Sequence, residues 1–101
     1  MAKESRLDPI PPGEILLEEF MKPLGISRNA LSRDLDMPVS RVSEIVKGTR
    51  SITADTALRL GAYFGTTAEM WMNLQSAYDL RRARATTWPD IESRLRPRRA
   101  A

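Results

Sequence analysis

Apolar residues recur along the chain at helical rather than alternating spacing, in blocks separated by glycine, proline and hydroxyl residues. Residues 14–21 carry Ile15, Leu16, Leu17, Phe20 and Met21, with Leu24 beyond them and Glu18, Glu19 and Lys22 on the wet side. Pro12 suits the first position of this helix, and Pro23 and Gly25 close it. A second helix over residues 28–35 follows the N-cap Ser27 and turns Ala30, Leu31 and Leu35 inward. Asp36-Met37-Pro38 reads as a turn in which Asp36 tolerates the left-handed conformation. Pro38 opens a third helix whose inner stripe is Val42, Ile45 and Val46, with Gly48 at its end. Thr53 caps a fourth helix with Ala57, Leu58, Leu60, Gly61 and Phe64 inward, ended by Gly65. Thr67 caps a fifth, which places Met70, Trp71, Leu74, Ala77, Tyr78 and Arg81 on one side. Past Ala85 the pattern weakens. Pro89 can start a short sixth helix over residues 90–95, loosely capped by Thr87 or Trp88, before a solvated end at Pro97–Arg99. No strand candidate exceeds three residues. The prediction is an all-α chain: a flexible arm over residues 1–10, one domain over 11–84 and a basic tail over 85–101.

The stretch from Ser27 to Gly48 is the informative one. Two short helices joined by a tight turn, the second with a mixed polar and basic outer face, match a helix-turn-helix DNA reader. An ordinary helical bundle would also give two short packed helices, but the inward positions Ala30, Leu31, Leu35, Val42 and Ile45 together fit the reader's pattern. With those fixed inward, Val39, Ser40, Arg41, Ser43 and Glu44 are the candidate base contacts. Arg41 suits guanine through two hydrogen bonds, the serines suit several bases, and Val39 suits a thymine methyl. Ser27, Arg28 and Asn29 at the start of the second helix, and Lys47, Thr49 and Arg50 after the third, are the candidate phosphate contacts.

Charge sharpens this picture. The net charge is +3, yet residues 1–76 hold nine Lys/Arg against ten Asp/Glu, and residues 77–101 hold seven against three. The basic excess lies in the tail, so DNA binding must rest on a local face rather than on overall charge. The chain has no cysteine and no histidine. This removes the commonest zinc ligands and the commonest general base, so neither a metal, a cofactor nor an enzyme activity is expected. No apolar run approaches the roughly 18 residues of a membrane span, and the start MAKESRLDP lacks the apolar core of a signal peptide, which points to the cytoplasm.

The fifth helix carries more apolar and aromatic surface than a small core needs, which marks a dimer interface. Leu74, Ala77, Tyr78, Arg81 and Arg82 are the candidate contacts, with Trp71 assigned mostly to the core. Two-fold pairing would set two third helices roughly 34–36 Å apart, one DNA turn. Trp88 is expected to pack on the fifth helix or a partner, since a purely solvated tail has little use for it.

The segments Pro12-Gly13-Glu14-Ile15-Leu16, Ile52 to Leu60 (ITADTALRL), Tyr63-Phe64-Gly65-Thr66, Trp71 to Gln75 (WMNLQ) and Tyr78-Asp79-Leu80 resemble the HigA-type antitoxins, VapI-like members of the phage-repressor-like helix-turn-helix proteins. The resemblance spans residues 11–84. It implies a five-helix fold and a homodimer on a palindromic DNA operator. It also implies neutralisation of an RNA-cleaving HigB-type toxin and repression of the chain's own operon. A stand-alone regulator without a toxin shares the same fold and dimer. Three features depart from the family pattern: Pro11 where histidine is usual, Asp36 where the turn usually has glycine, and Arg28 and Lys47 where glutamine and asparagine are common. The last pair adds positive charge at expected phosphate positions.

Overall fold

The computed structural model describes residues 9–98. Among them every element is helical. Most of the arm predicted for residues 1–10, and the last part of the basic tail, lie outside the described residues.

The first helix, α1, runs from residue 12 to 24, longer than the sequence pattern suggested. An α-helical turn, Pro12–Ile15, leads into a π-helical stretch, Leu16–Met21, and a last α-helical turn, Lys22–Leu24. The Lys22 amide reaches back to the Leu17 carbonyl, one residue further than in an α-helix. Pro23 lies inside the helix rather than ending it. Its ring would strike the carbonyl four residues back in a regular helix, and the wider π turn takes up that conflict. The chain then breaks at Gly25, which takes φ 65°.

Helices α2 (Arg28–Leu35) and α3 (Val39–Lys47) follow, then α4 (Ala54–Phe64), α5 (Ala68–Thr86) and α6 (Trp88–Arg94). Ser27, Thr53 and Thr67 cap α2, α4 and α5 through hydrogen bonds from Ala30, Thr56 and Met70. These hydroxyls satisfy amides that the first helical turn leaves free. The predicted sixth helix begins at Trp88 rather than Asp90, and α5 runs past Ala85, where the apolar pattern had faded.

The core is built from Leu16, Met21, Leu31, Leu35, Val42, Ile45, Ile52, Ala57, Leu60 and Trp71, each buried. Phe20 lies with its ring 5.0 Å from both Phe64 and Trp71, and the Trp71 indole donates to Thr66 Oγ1 at 2.9 Å. The indole therefore buries its ring without orphaning its N–H. Trp71 thus sits in the core. Two apolar positions read as inward differ. Leu58 of α4 is 64% exposed, because Thr56 and Ala57 occupy the turn of that helix nearest the core. Ala30 is only half-buried, and its neighbour Ser32 is buried instead, with its hydroxyl donating to the Asn29 carbonyl.

Gly13 fixes how α1 meets α3. A Cβ there would overlap the Ile45 carbonyl oxygen, so the start of α1 lies directly on the α3 backbone. No other residue permits that approach.

Candidate nucleic-acid interface

The turn between α2 and α3 is a Schellman motif. Asp36 takes φ 56° and ψ 52°, the Met37 amide donates to Ser32 O at 2.9 Å, and the Asp36 amide donates to Arg33 O. Met37 is buried beneath it, supplying the apolar contact that accompanies such a motif. The left-handed conformation costs a residue with a Cβ, and a brace from α4 offsets that cost. Arg59 Nη1 donates to the Leu35 and Asp36 carbonyls at 2.6 and 2.8 Å, and its Nε donates to Asp55 Oδ2 at 3.0 Å. A cation at the C-terminus of α2 also complements the helix dipole. Neither Arg59 nor Asp55 stood out in the sequence as part of the site, because both belong to a later helix.

Helix α3 buries Val42, Ile45 and Val46 and turns the rest outward. Val39 and Ser40 are exposed, and Ser43 is partly exposed. Unlike α2, α4 and α5, α3 has no side-chain cap, because Pro38 occupies its N-cap position. The first amides of α3 therefore remain available to a ligand at the positive end of the helix dipole. The other two candidate base contacts are engaged within the protein. Arg41 Nη2 lies 3.6 Å from Asp55 Oδ2, and Glu44 Oε1 accepts from Arg50 Nε at 2.7 Å.

The candidate phosphate contacts fall in two groups at the ends of this unit. At the start of α2, the Ser27 hydroxyl is committed to its cap, Asn29 is exposed and Arg28 is partly exposed. Beyond α3, Gly48 takes φ 84° and a second Schellman motif forms, with the Thr49 amide on Glu44 O at 2.9 Å. Lys47, Thr49 and Arg50 are exposed around it. The loop is pinned from behind by Gln75 of α5, a buried residue that the hydrophobic pattern gave no reason to select. Its Oε1 accepts from the Ile52 amide at 2.7 Å, and its Nε2 donates to Asp79 at 2.9 Å.

Four of the five candidate dimer residues lie together. Leu74, Ala77, Tyr78 and Arg81 line a groove of about 220 Å³ that Ile10 and Ile15 complete. Arg82 does not line that groove; its guanidinium lies over the Tyr78 ring, 5.6 Å from its centre, and it lines a second hollow with Thr49, Arg50 and Tyr78. Trp88, 38% exposed, lines an open hollow with Leu80, Ala83 and Arg84 of α5. Among the described residues no cluster of acidic side chains could hold a metal ion, and no helix is long and apolar enough to cross a membrane.

A helix-turn-helix family model matches residues 17–71, which takes in the whole α2–turn–α3 unit and its α4 brace. Virulence-associated protein I of Dichelobacter nodosus is 52% identical over 82 residues, covering 81% of this chain and 76% of its own. The solved addiction module antidote protein of the HigA family from Coxiella burnetii is 49% identical, with a TM-score of 0.84 over 90% of this chain and 99% of that one. Antitoxin HigA of Pseudomonas aeruginosa, solved with the higBA promoter, is 48% identical at a TM-score of 0.85, over 88% of this chain and 97% of that one. Likeness at this identity over nearly whole chains reaches past the shared reader to α1 and α5. The chain belongs to the helix-turn-helix family, among the HigA-type antitoxins.

Proposed function

We propose that this protein is the antitoxin of a toxin–antitoxin pair, binding its own operator as a homodimer and acting by binding rather than by catalysis. The observation that carries the reading is the match to a promoter-bound HigA over 97% of that chain. The uncapped, outward-facing start of α3 is the matching physical feature, since the N-terminal turn of a recognition helix meets base edges in the major groove. Val39, Ser40, Arg41, Ser43 and Glu44 read bases. Ser27, Arg28, Asn29, Lys47, Thr49 and Arg50 hold the phosphates on either side.

Pairing through Leu74, Ala77, Tyr78 and Arg81 covers the groove beside α1 and sets the spacing of the two readers on a palindrome. Arg82 faces the Thr49–Arg50 loop and belongs at the edge of that contact. The toxin partner, an RNA-cleaving HigB-type protein, rests on the kinship with antitoxins. Acting on DNA and on such a toxin places the protein in the cytoplasm.

Substituting Arg41 with Ala tests the reader. It weakens operator binding by roughly 1–3 kcal/mol in a gel-shift titration while leaving a scrambled duplex little affected. Unchanged operator affinity removes Arg41 from the set. Co-expression with the toxin-like reading frame beside this gene tests the pairing, where rescue of growth is the expected result. The lack of any such frame makes the protein a stand-alone regulator.

A further inference from the structure

The inner end of Arg41 is unusual. Its Nε is buried and has no hydrogen-bond partner, although the side chain as a whole is 34% exposed. An arginine free to swing into water would hydrate that N–H, so something holds it against the body of the protein. The group in position to do so is Asp55, in the first turn of α4. Asp55 Oδ2 faces Arg41 Nη2 at 3.6 Å and accepts from Arg59 Nε at 3.0 Å. Arg59 in turn grips the Leu35 and Asp36 carbonyls in the turn between the two reader helices.

One carboxylate therefore links a side chain of the recognition helix to the turn that sets the angle of that helix. We infer that Asp55 is a positioning residue for DNA reading: it fixes the guanidinium of Arg41 in one orientation before the operator arrives. This rests on the DNA-reading role proposed above for α3. An arginine has many rotamers, and a reader that must select one at the moment of contact loses affinity for doing so. Asp55 is itself 59% exposed on its side chain. Placing an acid beside a surface meant for phosphates opposes binding unless it serves another purpose.

That opposition makes the sign of the test decisive. If Asp55 is only a surface charge, Asp55→Asn raises affinity for every duplex. If it positions Arg41, the same substitution lowers operator affinity a few-fold, up to about fivefold for an ion pair this exposed, despite the lost repulsion, and lowers it little or not at all in an Arg41→Ala background. Asp55→Glu, which keeps the charge, recovers part of the loss. The measurement is a titration of each full-length variant with operator and scrambled duplexes, after thermal melts establish that each is folded. Arg59 keeps its two carbonyl bonds in Asp55→Asn, so the turn itself stays braced. A uniform gain on both duplexes, or an equal loss with and without Arg41, overturns the inference. Failure of the wild-type protein to prefer its operator would instead overturn the DNA-reading role, and the two failures are distinct.

Discussion

Replacing Gln75 with Leu separates the buried polar clamp from the hydrophobic core around it. Gln75 is 6% exposed, and its Oε1 is the acceptor for the Ile52 amide, on a residue 2% exposed. Leucine fills a similar volume but accepts nothing, so a buried N–H loses its partner at a cost of about 1–3 kcal/mol. The other half of the clamp contributes little, since Asp79 is exposed and water replaces the lost donor. At about 4–8 °C per kcal/mol for a domain of this size, Tm falls by roughly 5–20 °C in a circular dichroism melt at 222 nm. Freeing Ile52 also slackens the loop that presents Thr49 and Arg50, so affinity for all DNA falls together. Gln75→Glu is the control. It retains the acceptor but sets a second carboxylate against Asp79, so part of its lost stability returns as pH falls through the carboxylate range. A loss below about 0.5 kcal/mol in Gln75→Leu would refute the reasoning, because it would mean that the Ile52 amide is not dependent on this acceptor.

Gly13→Ala forces a methyl into the Ile45 carbonyl and should cost about 3 kcal/mol or more, read as a shift in urea midpoint. Asp36→Gly relieves the left-handed Cβ and should stabilise by about 0.5–1 kcal/mol, the strain relief exceeding the extra chain entropy of glycine. The Tyr63 hydroxyl donates to Asp34 at 2.8 Å, and that hydrogen bond raises its pKa above the ordinary 10.0. The stability it adds is present below pH 10 and is lost as pH rises through the raised value. A titration at 295 nm should show the late-ionising tyrosine disappear in Tyr63→Phe and move down in Asp34→Ala. Neutralising Lys47 or Arg50 should weaken binding to every duplex and flatten its salt dependence; a sequence-selective loss would contradict a phosphate role.

Helix ends were the most legible part of the fold. Ser27, Thr53 and Thr67 cap as hydroxyl residues before apolar periods should, and Gly48 and Gly65 take positive φ. Asp36 adopts the left-handed turn that its short polar side chain permits. What escaped the pattern depends on contacts between distant residues. The π-helical stretch of α1 accompanies an internal Pro23, where a proline alone reads as a stop. Leu58 reads as core because it is apolar, although Thr56 and Ala57 fill that place. Gln75 gave no signal in the apolar pattern, because its partner, the Ile52 amide, lies 23 residues away in the chain. Within the site, the outward positions of α3 followed from its buried stripe. The pairing of Arg41 with Asp55, and of Glu44 with Arg50, joins different segments, and no periodicity in one helix foretells it.

Helix α3 is proposed to read a specific DNA sequence. The most direct measurement is an anisotropy titration of the full-length protein with two duplexes, one from the region upstream of its own gene and one scrambled, at physiological salt. Binding to the upstream duplex should be at least about a thousandfold tighter than to the scrambled one. Equal affinity for both would contradict it.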